Sequence, residues 1–139
     1  KIKGKDKFSL APPGTPGGEL LLPLMMNAAI NGKIKLEKVI KLLSENPAKR
    51  FELYPKKGII QEGSDADIVV FDKNQEWEIN ENNLETKGRL CAHLYYGDKI
   101  KGNVIMTLVN GHIVYDSGKF IKGDNSNNFV SPKQNKNII

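Results

Sequence analysis

Residues 46–72 read NPAKRFELYPKKGIIQEGSDADIVVFD, and they contain the change from helical to extended structure on which the fold depends. Asn46 followed by Pro47 is typical of a helix start, because asparagine caps free amides and proline fits the first helical turn. Ile59 and Ile60 lie between glycine-containing turns and predict a short strand. The β-branched run of residues 66–71 predicts a buried strand.

Two helices are predicted upstream of this stretch. Residues 19–30 are apolar nearly all round, which predicts a helix that is buried on most sides and that opens at Glu19, near the positive end of its dipole. Asn31-Gly32 is a helix stop. Residues 35–45 carry apolar side chains at the i, i+3, i+4 and i+7 positions and predict an amphipathic helix.

The downstream sequence predicts short strands. Residues 76–79 alternate between polar and apolar side chains and predict a separate half-exposed strand. Asn110-Gly111 predicts a tight hairpin between residues 103–109 and 112–115. A last strand pair is expected at residues 118–121. The polar, asparagine-rich sequence beyond Gly123 predicts a poorly ordered tail.

Composition excludes some functional classes. The chain has 139 residues and a net charge of +5, with 12 basic and 5 acidic side chains in residues 1–57 and 9 and 11 in residues 58–139. The lysines are spread over helical faces without interleaved aromatic residues, so we expect a solvated surface rather than a nucleic-acid site. No apolar run is long enough for a membrane span. The single cysteine, Cys91, favours a reducing, cytoplasmic setting.

Few residues are candidates for chemistry. His93 and His112 lack the spacing of metal-ligand pairs, and Cys91 is expected to be an inert thiol. Asp65 and Asp67 are expected to shape a turn and to cap backbone amides rather than to bind a metal. The proline- and glycine-rich loop of residues 11–18 remains as a candidate, because its backbone can approach a small polar ligand, although composition alone favours a plain structural turn.

Four segments together carry a family resemblance. They are residues 11–24 (APPGTPGGELLLPL), 44–49 (SENPAK), 57–72 (KGIIQEGSDADIVVFD) and 101–115 (KGNVIMTLVNGHIVY). In this order and spacing they resemble the cyclic amidohydrolases, the group of dihydroorotase, hydantoinase (dihydropyrimidinase) and allantoinase. The resemblance covers about residues 7–121, and Glu52 stands where the family usually has glycine.

The resemblance implies a particular chemistry. The family hydrolyses cyclic amides with a pair of zinc-like ions, held by histidines, an aspartate and usually a carboxylated lysine. None of those positions falls in this chain, so we expect no catalytic residue and no metal ligand here, with zinc bound elsewhere in the parent enzyme. The dipeptide that corresponds to Pro13-Gly14 contacts the substrate through its backbone, which implies Pro13 and Gly14 as substrate-binding residues.

The expected fold class is α/β. The resemblance implies a C-terminal fragment, with the substrate loop and the last helices of a TIM barrel in residues 1–57, the C-terminal part of a small β-sandwich in residues 58–122, and a disordered tail in residues 123–139. The expected partners are a small cyclic amide, the missing N-terminal part of the enzyme and further copies in a homo-oligomer. Neither nucleic acid nor membrane is expected as a partner.

Three functional hypotheses follow from the sequence. The first is a fragment of a cyclic amidohydrolase that is closest to dihydroorotase, which interconverts dihydroorotate and carbamoyl aspartate in pyrimidine biosynthesis, with hydantoinase or allantoinase as the alternative. The isolated chain is expected to be inactive. The second is a non-catalytic structural homologue, and the third is a nucleic-acid-binding protein.

Overall fold

The computed structural model describes residues 6–11, 14–15, 17–122 and 130–132. The helices are α1 (Leu21–Ile30), α2 (Leu36–Ile40) and α3 (Asn46–Arg50), and a π-helical turn (Lys41–Glu45) joins the last two. The strands are β1 (Ile68–Glu78), β2 (Lys99–Val109), β3 (His112–Asp116) and β4 (Lys119–Phe120). Short 3-10 turns occupy Phe8–Leu10, Glu81–Asn83, Arg89–Cys91 and His93–Tyr95. The predicted α/β class is confirmed, whereas most of the predicted disordered tail lies outside the described residues.

The chain divides into two compact units. The described residues through Lys33 and the segment Lys73–Asn103 form the first unit, and Ile34–Asp72 with the described residues from Val104 onward form the second. The domain boundaries expected after residues 57 and 122 stay predictions.

The first unit has an apolar core. Its buried residues are Leu20, Ile79, Leu84, Ala92 and Ile100, with Leu24, Trp77, Tyr95 and Tyr96 packed against them. Each large apolar side chain that is fully buried contributes about 1.5–3 kcal/mol. The Trp77 indole also donates a hydrogen bond of 3.1 Å to the carbonyl of Gly102, which ties β1 to β2.

Helix α1 differs from its prediction in two respects. It begins at Leu21 rather than at Glu19, and Pro23, four residues after Glu19, has no N–H to donate to the Glu19 carbonyl. All of α1 is described, and Pro23 is its one buried residue, while Leu21 is 54% exposed. Most of the other residues of α1 are half-buried. The prediction of a helix buried on most sides is therefore wrong for this chain. Its predicted end is confirmed at Asn31-Gly32, where Gly32 has a φ of +72°.

The second unit contains a continuous helical segment from α2 to α3. Asn46 has helical dihedrals, and its N–H donates to the carbonyl of Lys41, five residues earlier. The predicted N-cap at Asn46 is therefore wrong. Pro47 lacks an N–H and would crowd the carbonyl four residues before it in a regular α-helix, and the wider π turn just upstream relieves this conflict.

The loop after α3 contains no strand at Ile59-Ile60, so that prediction is also wrong. The loop folds back on itself, because Ser64 donates to the carbonyl of Pro55 at 2.7 Å and the N–H of Asp65 donates to Lys56 at 2.9 Å. A pair of apolar residues without a neighbouring strand has no ladder to join.

In the described part of the chain the strands form one sheet in the order β1-β2-β3-β4. The predicted hairpin is confirmed: β2 pairs antiparallel with β3, and Asn110 and Gly111 have φ values of +50° and +80°, as a type I′ turn requires. The register shifts between Thr107 and Leu108. The last strand is also confirmed, since β3 pairs antiparallel with β4.

Strand β1 is longer than expected. The polar residues 72–76 predict a break between two strands, but the backbone stays extended through them, because residues 73–76 are exposed and need no apolar partner. The predicted burial of the first half is wrong as well, since Val69 and Val70 are 46% and 39% exposed. None of the helices in the described part combines the length and the apolar composition required to cross a bilayer.

Candidate functional site

The candidate substrate loop is partly described. Pro13 lies outside the described residues. Gly14 lies in an exposed bend, and a Cβ atom added to it would meet nothing within 4 Å. The backbone at Gly14 is therefore open to another molecule. The prediction that Pro13 and Gly14 bind substrate stays a prediction.

The residue after Gly14 is tied to a distant part of the first unit. The hydroxyl of Thr15 donates a part-buried hydrogen bond of 3.2 Å to the carbonyl of Cys91, 76 residues later in the chain. Cys91 ends the 3-10 turn Arg89–Cys91, and the Tyr96 hydroxyl donates to the carbonyl of Arg89 at 2.6 Å, which fixes the same turn from the other side.

Glu19 makes the strongest tie of the loop. Its two carboxylate oxygens accept hydrogen bonds of 2.9 Å from the backbone N–H groups of Glu85 and Thr86. Hydrogen bonds to an ionised acceptor are about twice as strong as neutral ones. The next residue, Leu20, is 1% exposed and packs in the core cluster with Leu84. Thr15, Glu19 and Leu20 therefore dock onto the segment 84–92 through polar and apolar contacts.

Sequence reasoning did not find this docking. The sequence predicts no helix or strand for residues 80–102, and it predicts Glu19 only as the start of a helix. Each contact joins two residues that are between 66 and 76 positions apart in the sequence, and no local pattern predicts such pairs.

The metal-binding residue types do not gather in the described residues. No group of three or more His, Cys, Asp or Glu side chains there could hold a metal ion. His93 lies in the turn His93–Tyr95, and its Nδ1 atom is buried without a hydrogen-bond partner among these residues. His112 is exposed at the start of β3, and Cys91 is a half-buried free thiol.

Asp65 and Asp67 lie in an ion cluster with Lys57 in the second unit. The Lys57 ammonium pairs with Asp65 at 2.9 Å and with Asp67. The other oxygen of Asp67 accepts a hydrogen bond of 2.8 Å from the N–H of Asn110 in the hairpin turn. The expectation that these aspartates shape a turn and cap backbone amides is confirmed for Asp67. We name this group the Lys57–Asp67 cluster.

The cluster shifts two pKa values in opposite directions. Desolvation acts to raise the pKa of Asp67, but the hydrogen bonds from Lys57 and from the Asn110 N–H outweigh it and hold the pKa below its usual value. Desolvation acts to lower the pKa of Lys57, and the hydrogen bonds to Asp67 and Asp65 together outweigh it and hold that pKa above its usual value. Both groups are therefore charged at neutral pH, which suits a structural ion pair.

A pocket of about 440 Å³ lies beside this cluster in the second unit. Apolar side chains that line it are Ile40, Leu43, Phe51, Ile60 and Val69. Four of them are largely exposed: Ile40 at 54%, Phe51 at 65%, Ile60 at 81% and Val69 at 46%. The pocket is open and mostly apolar, and its charged lining residues, Lys57, Asp65 and Asp67, already pair with one another.

Residues 16–114 match the sequence profile of the Amidohydrolase family. The chain belongs to the amidohydrolase family.

Individual relatives agree with this assignment. The amidohydrolase chain is 31% identical over 136 residues to a D-hydantoinase from Ralstonia pickettii. This match covers 98% of this chain and 29% of that protein. It is 36% identical over 108 residues to a dihydroorotase from Pyrococcus furiosus, and this match covers 78% of this chain and 25% of that protein. The structure of an L-hydantoinase (dihydropyrimidinase) from Arthrobacter aurescens matches with a TM-score of 0.72 and 30% identity, over 83% of this chain and 25% of that one.

The chain therefore spans between a quarter and a third of the length of these relatives. The predicted membership in the cyclic amidohydrolase group is confirmed. Hydantoinases and a dihydroorotase are both among the relatives, so the predicted closeness to dihydroorotase stays a prediction.

Proposed function

We propose that this amidohydrolase chain is part of a hydrolase that opens cyclic amide rings. The observation that carries the proposal is the family match over residues 16–114, together with relatives that are named for hydantoin and dihydroorotate hydrolysis. The chain spans only part of those relatives, so the activity would belong to a longer protein.

Two substrates compete within this proposal. Dihydroorotate is favoured by the loop sequence APPGTPG of residues 11–17, which resembles the dihydroorotase segment. A hydantoin or dihydropyrimidine ring is favoured by the D-hydantoinase match, which extends over 98% of the chain against 78% for the dihydroorotase. Both are rings with adjacent amide N–H and C=O groups, which a loop backbone can recognise by hydrogen bonds.

The part that this chain would play is substrate binding. Gly14 is exposed, and the space around its backbone is open, which supports contact with the ring through main-chain groups. Pro13 is proposed for the same contact from the sequence alone. We assign no catalytic residue to this chain.

The metal centre of the proposed enzyme would be built by other residues. Zinc is the ion that the family resemblance implies, yet the described residues offer no ligand set that fits a divalent ion. We therefore derive no catalytic step through a metal from this chain and assign the ligands to residues outside it.

Apolar surface supports the proposed partners, which are the rest of the enzyme and further copies in a homo-oligomer. In the first unit Leu21 is 54% exposed, and in the second unit Leu36, Ile40, Phe51 and Ile60 are between 46% and 81% exposed. Clustered apolar side chains of this kind are typical of surfaces that another chain or segment covers.

A substrate panel tests the proposed function. The full protein that carries this chain would be purified with Zn²⁺, and hydrolysis of dihydroorotate, hydantoin and dihydrouracil would be measured by loss of ring absorbance. We expect turnover of at least one ring. A folded, metal-loaded protein that opens none of them would favour the second hypothesis, a non-catalytic structural homologue.

A further inference from the structure

We propose that Glu19 is a positioning residue, which acts with Thr15 to hold the candidate substrate loop on the segment 84–92. The inference rests on the proposed function for its catalytic consequence, and on the described contacts for its structural content. Glu19 touches no substrate in this account. It acts through the backbone of the loop that precedes it.

The hydrogen bonds of Thr15 and Glu19 lie on either side of the end of the loop. Thr15, the residue directly after Gly14, reaches the carbonyl of Cys91, and Glu19 receives the N–H groups of Glu85 and Thr86. Between these contacts, a Cβ atom added to Gly17 or Gly18 would meet nothing within 4 Å, and the one backbone hydrogen bond to this pair runs from the N–H of Leu21 to the carbonyl of Gly17 at 2.8 Å. Glycine has the greatest backbone freedom of any residue. Without the ties, the position of Gly14 would be poorly determined.

The segment that receives the ties is itself well anchored. Leu84 and Ala92 are 3% and 0% exposed, in the core of the first unit. The Asn80 side chain accepts hydrogen bonds from the N–H groups of Asn82 and Asn83, at 2.9 and 3.2 Å, and orders the turn just before Leu84. The segment is therefore anchored in the core at both of its ends, and it offers Thr15 and Glu19 partners in fixed positions.

Glutamate suits this task for a chemical reason. The N–H groups of Glu85 and Thr86 are donors from consecutive residues, and a carboxylate has two acceptor oxygens with which to receive both. Glutamine has one acceptor oxygen, and its amide N–H₂ would face one of the two donors. Glu19→Gln therefore changes few atoms but removes one hydrogen bond and places the amide N–H₂ group against the backbone N–H that loses its acceptor.

The first arm of the test measures the tie itself. In the full protein, hydrogen exchange followed by mass spectrometry would compare peptides that contain Glu85 and Thr86. With Glu19→Gln we expect these amides to exchange at least about tenfold faster. Glu62→Gln is the matched control, because Glu62 is exposed and its side chain makes no ion pair or hydrogen bond with the residues that the structure describes, so exchange at Glu85 and Thr86 should equal that of the wild type.

The second arm measures the consequence for substrate. If the loop binds the ring equally in the ground and transition states, Glu19→Gln should raise KM about tenfold with little change in kcat, while Glu62→Gln should change neither. Thr15→Val should raise KM in the same direction, and Thr15→Ser, which keeps the hydroxyl donor, should restore it. This rescue distinguishes positioning from a general loss of stability.

The outcomes separate this inference from the proposed function. If exchange at Glu85 and Thr86 is unchanged in Glu19→Gln, the hydrogen bonds from these amides to Glu19 are contradicted, whatever the activity. Faster exchange with unchanged KM overturns the positioning role. A wild-type protein that hydrolyses no ring overturns the proposed function and the catalytic role together, while the exchange arm still decides whether Glu19 fixes the loop.

Discussion

Glu52 adopts a left-handed backbone conformation, with a φ of +58°, at the end of α3. The N–H of Leu53 donates to Ala48 at 2.8 Å and that of Glu52 to Lys49 at 3.2 Å, which is the hydrogen-bond pattern of a Schellman helix end. This position is the one where the family resemblance expects glycine. A residue with a side chain costs about 1–2 kcal/mol in the left-handed region.

We expect Glu52→Gly to stabilise the protein. Relief of the left-handed conformation outweighs the extra backbone entropy of glycine in the unfolded chain, about 0.5–1 kcal/mol, and leaves a net gain of about 0.5–1 kcal/mol. Urea unfolding measures it. Glu62→Gly makes the same chemical change at an exposed position without a positive φ and should give no gain; equal effects of the two substitutions would contradict the explanation.

Gly58 is required for two reasons at once. Its φ is +87°, and a Cβ atom placed on it would lie 2.5 Å from the Cβ of Ala48 and 3.1 Å from the carbonyl oxygen of Ser44. Gly63 has a similar φ of +84°, but a Cβ atom there would meet nothing within 4 Å. Alanine substitutions at the two positions therefore distinguish the effect of backbone strain, present at both, from the effect of crowding, present only at Gly58.

We expect Gly58→Ala to destabilise the protein by about 3 kcal/mol, because strain and overpacking add, and Gly63→Ala by about 1 kcal/mol from strain alone. Thermal or urea unfolding of both variants under one condition gives the comparison. Similar losses for the two would show that the contact between Gly58 and Ala48 is not close in solution.

At the scale of elements, the Lys57–Asp67 cluster joins the loop after α3 to the β2–β3 hairpin. Lys57 holds Asp65 and Asp67, and Asp67 accepts the N–H of Asn110 in the turn. The backbone adds a second contact, since the N–H of Gly111 donates to Ala66 at 2.9 Å. The KGxxxxGxDAD pattern of residues 57–67 is thus a structural connection between elements rather than a catalytic motif.

This connection predicts a pH dependence of stability. The pKa of Asp67 is lower in the folded protein than in the unfolded chain, so its contribution is complete above the unfolded pKa of about 3.9 and is lost as the pH falls through the lower, folded pKa. Asp67→Asn should therefore be less stable than the wild type at pH 7, and the difference should shrink below about pH 4.

Urea unfolding between pH 3 and pH 7 measures this difference. Asp98→Asn is the control, because Asp98 is exposed and its side chain makes no ion pair or hydrogen bond with the residues that the structure describes. A difference between wild type and Asp67→Asn that does not change with pH would contradict the role of the Asp67 carboxylate.

Local signals account for the elements that the sequence predicts well. Asn110-Gly111 determines the hairpin because a type I′ turn needs two residues with positive φ, and Asn31-Gly32 ends α1 for a similar reason. Ile59-Ile60 fails as a strand because a strand needs a neighbour, which two residues cannot reveal. Pro47 indicates a helix start locally, yet the π turn before it lets the helix continue.

The candidate site is less accessible to such reasoning. The sequence identifies the loop around Gly14 through its prolines, its glycines and its family resemblance. The partners of Thr15 and Glu19 lie 66–76 residues away in a segment without periodicity, and backbone N–H and C=O groups carry no residue-specific signal. The loop could be predicted, but its attachment could not.

At the scale of the whole molecule, the chain is a segment of a family fold with incompletely covered apolar surfaces. It matches 25% to 29% of the length of its relatives, and large apolar side chains are exposed in both units. Its described residues include Gly14, which we propose contacts substrate, the contacts of Thr15 and Glu19 with the segment 84–92, and a structural ion cluster, but no metal-ligand set. This division assigns binding to the chain and chemistry to residues outside it.

Bound metal and ring hydrolysis, measured side by side on the full protein and on the purified 139-residue chain, test this division most directly. We predict that the full protein binds a divalent metal and opens at least one of dihydroorotate, hydantoin and dihydrouracil, whereas the 139-residue chain binds no stoichiometric metal and opens none. Turnover of any of these rings by the pure 139-residue chain would contradict the account.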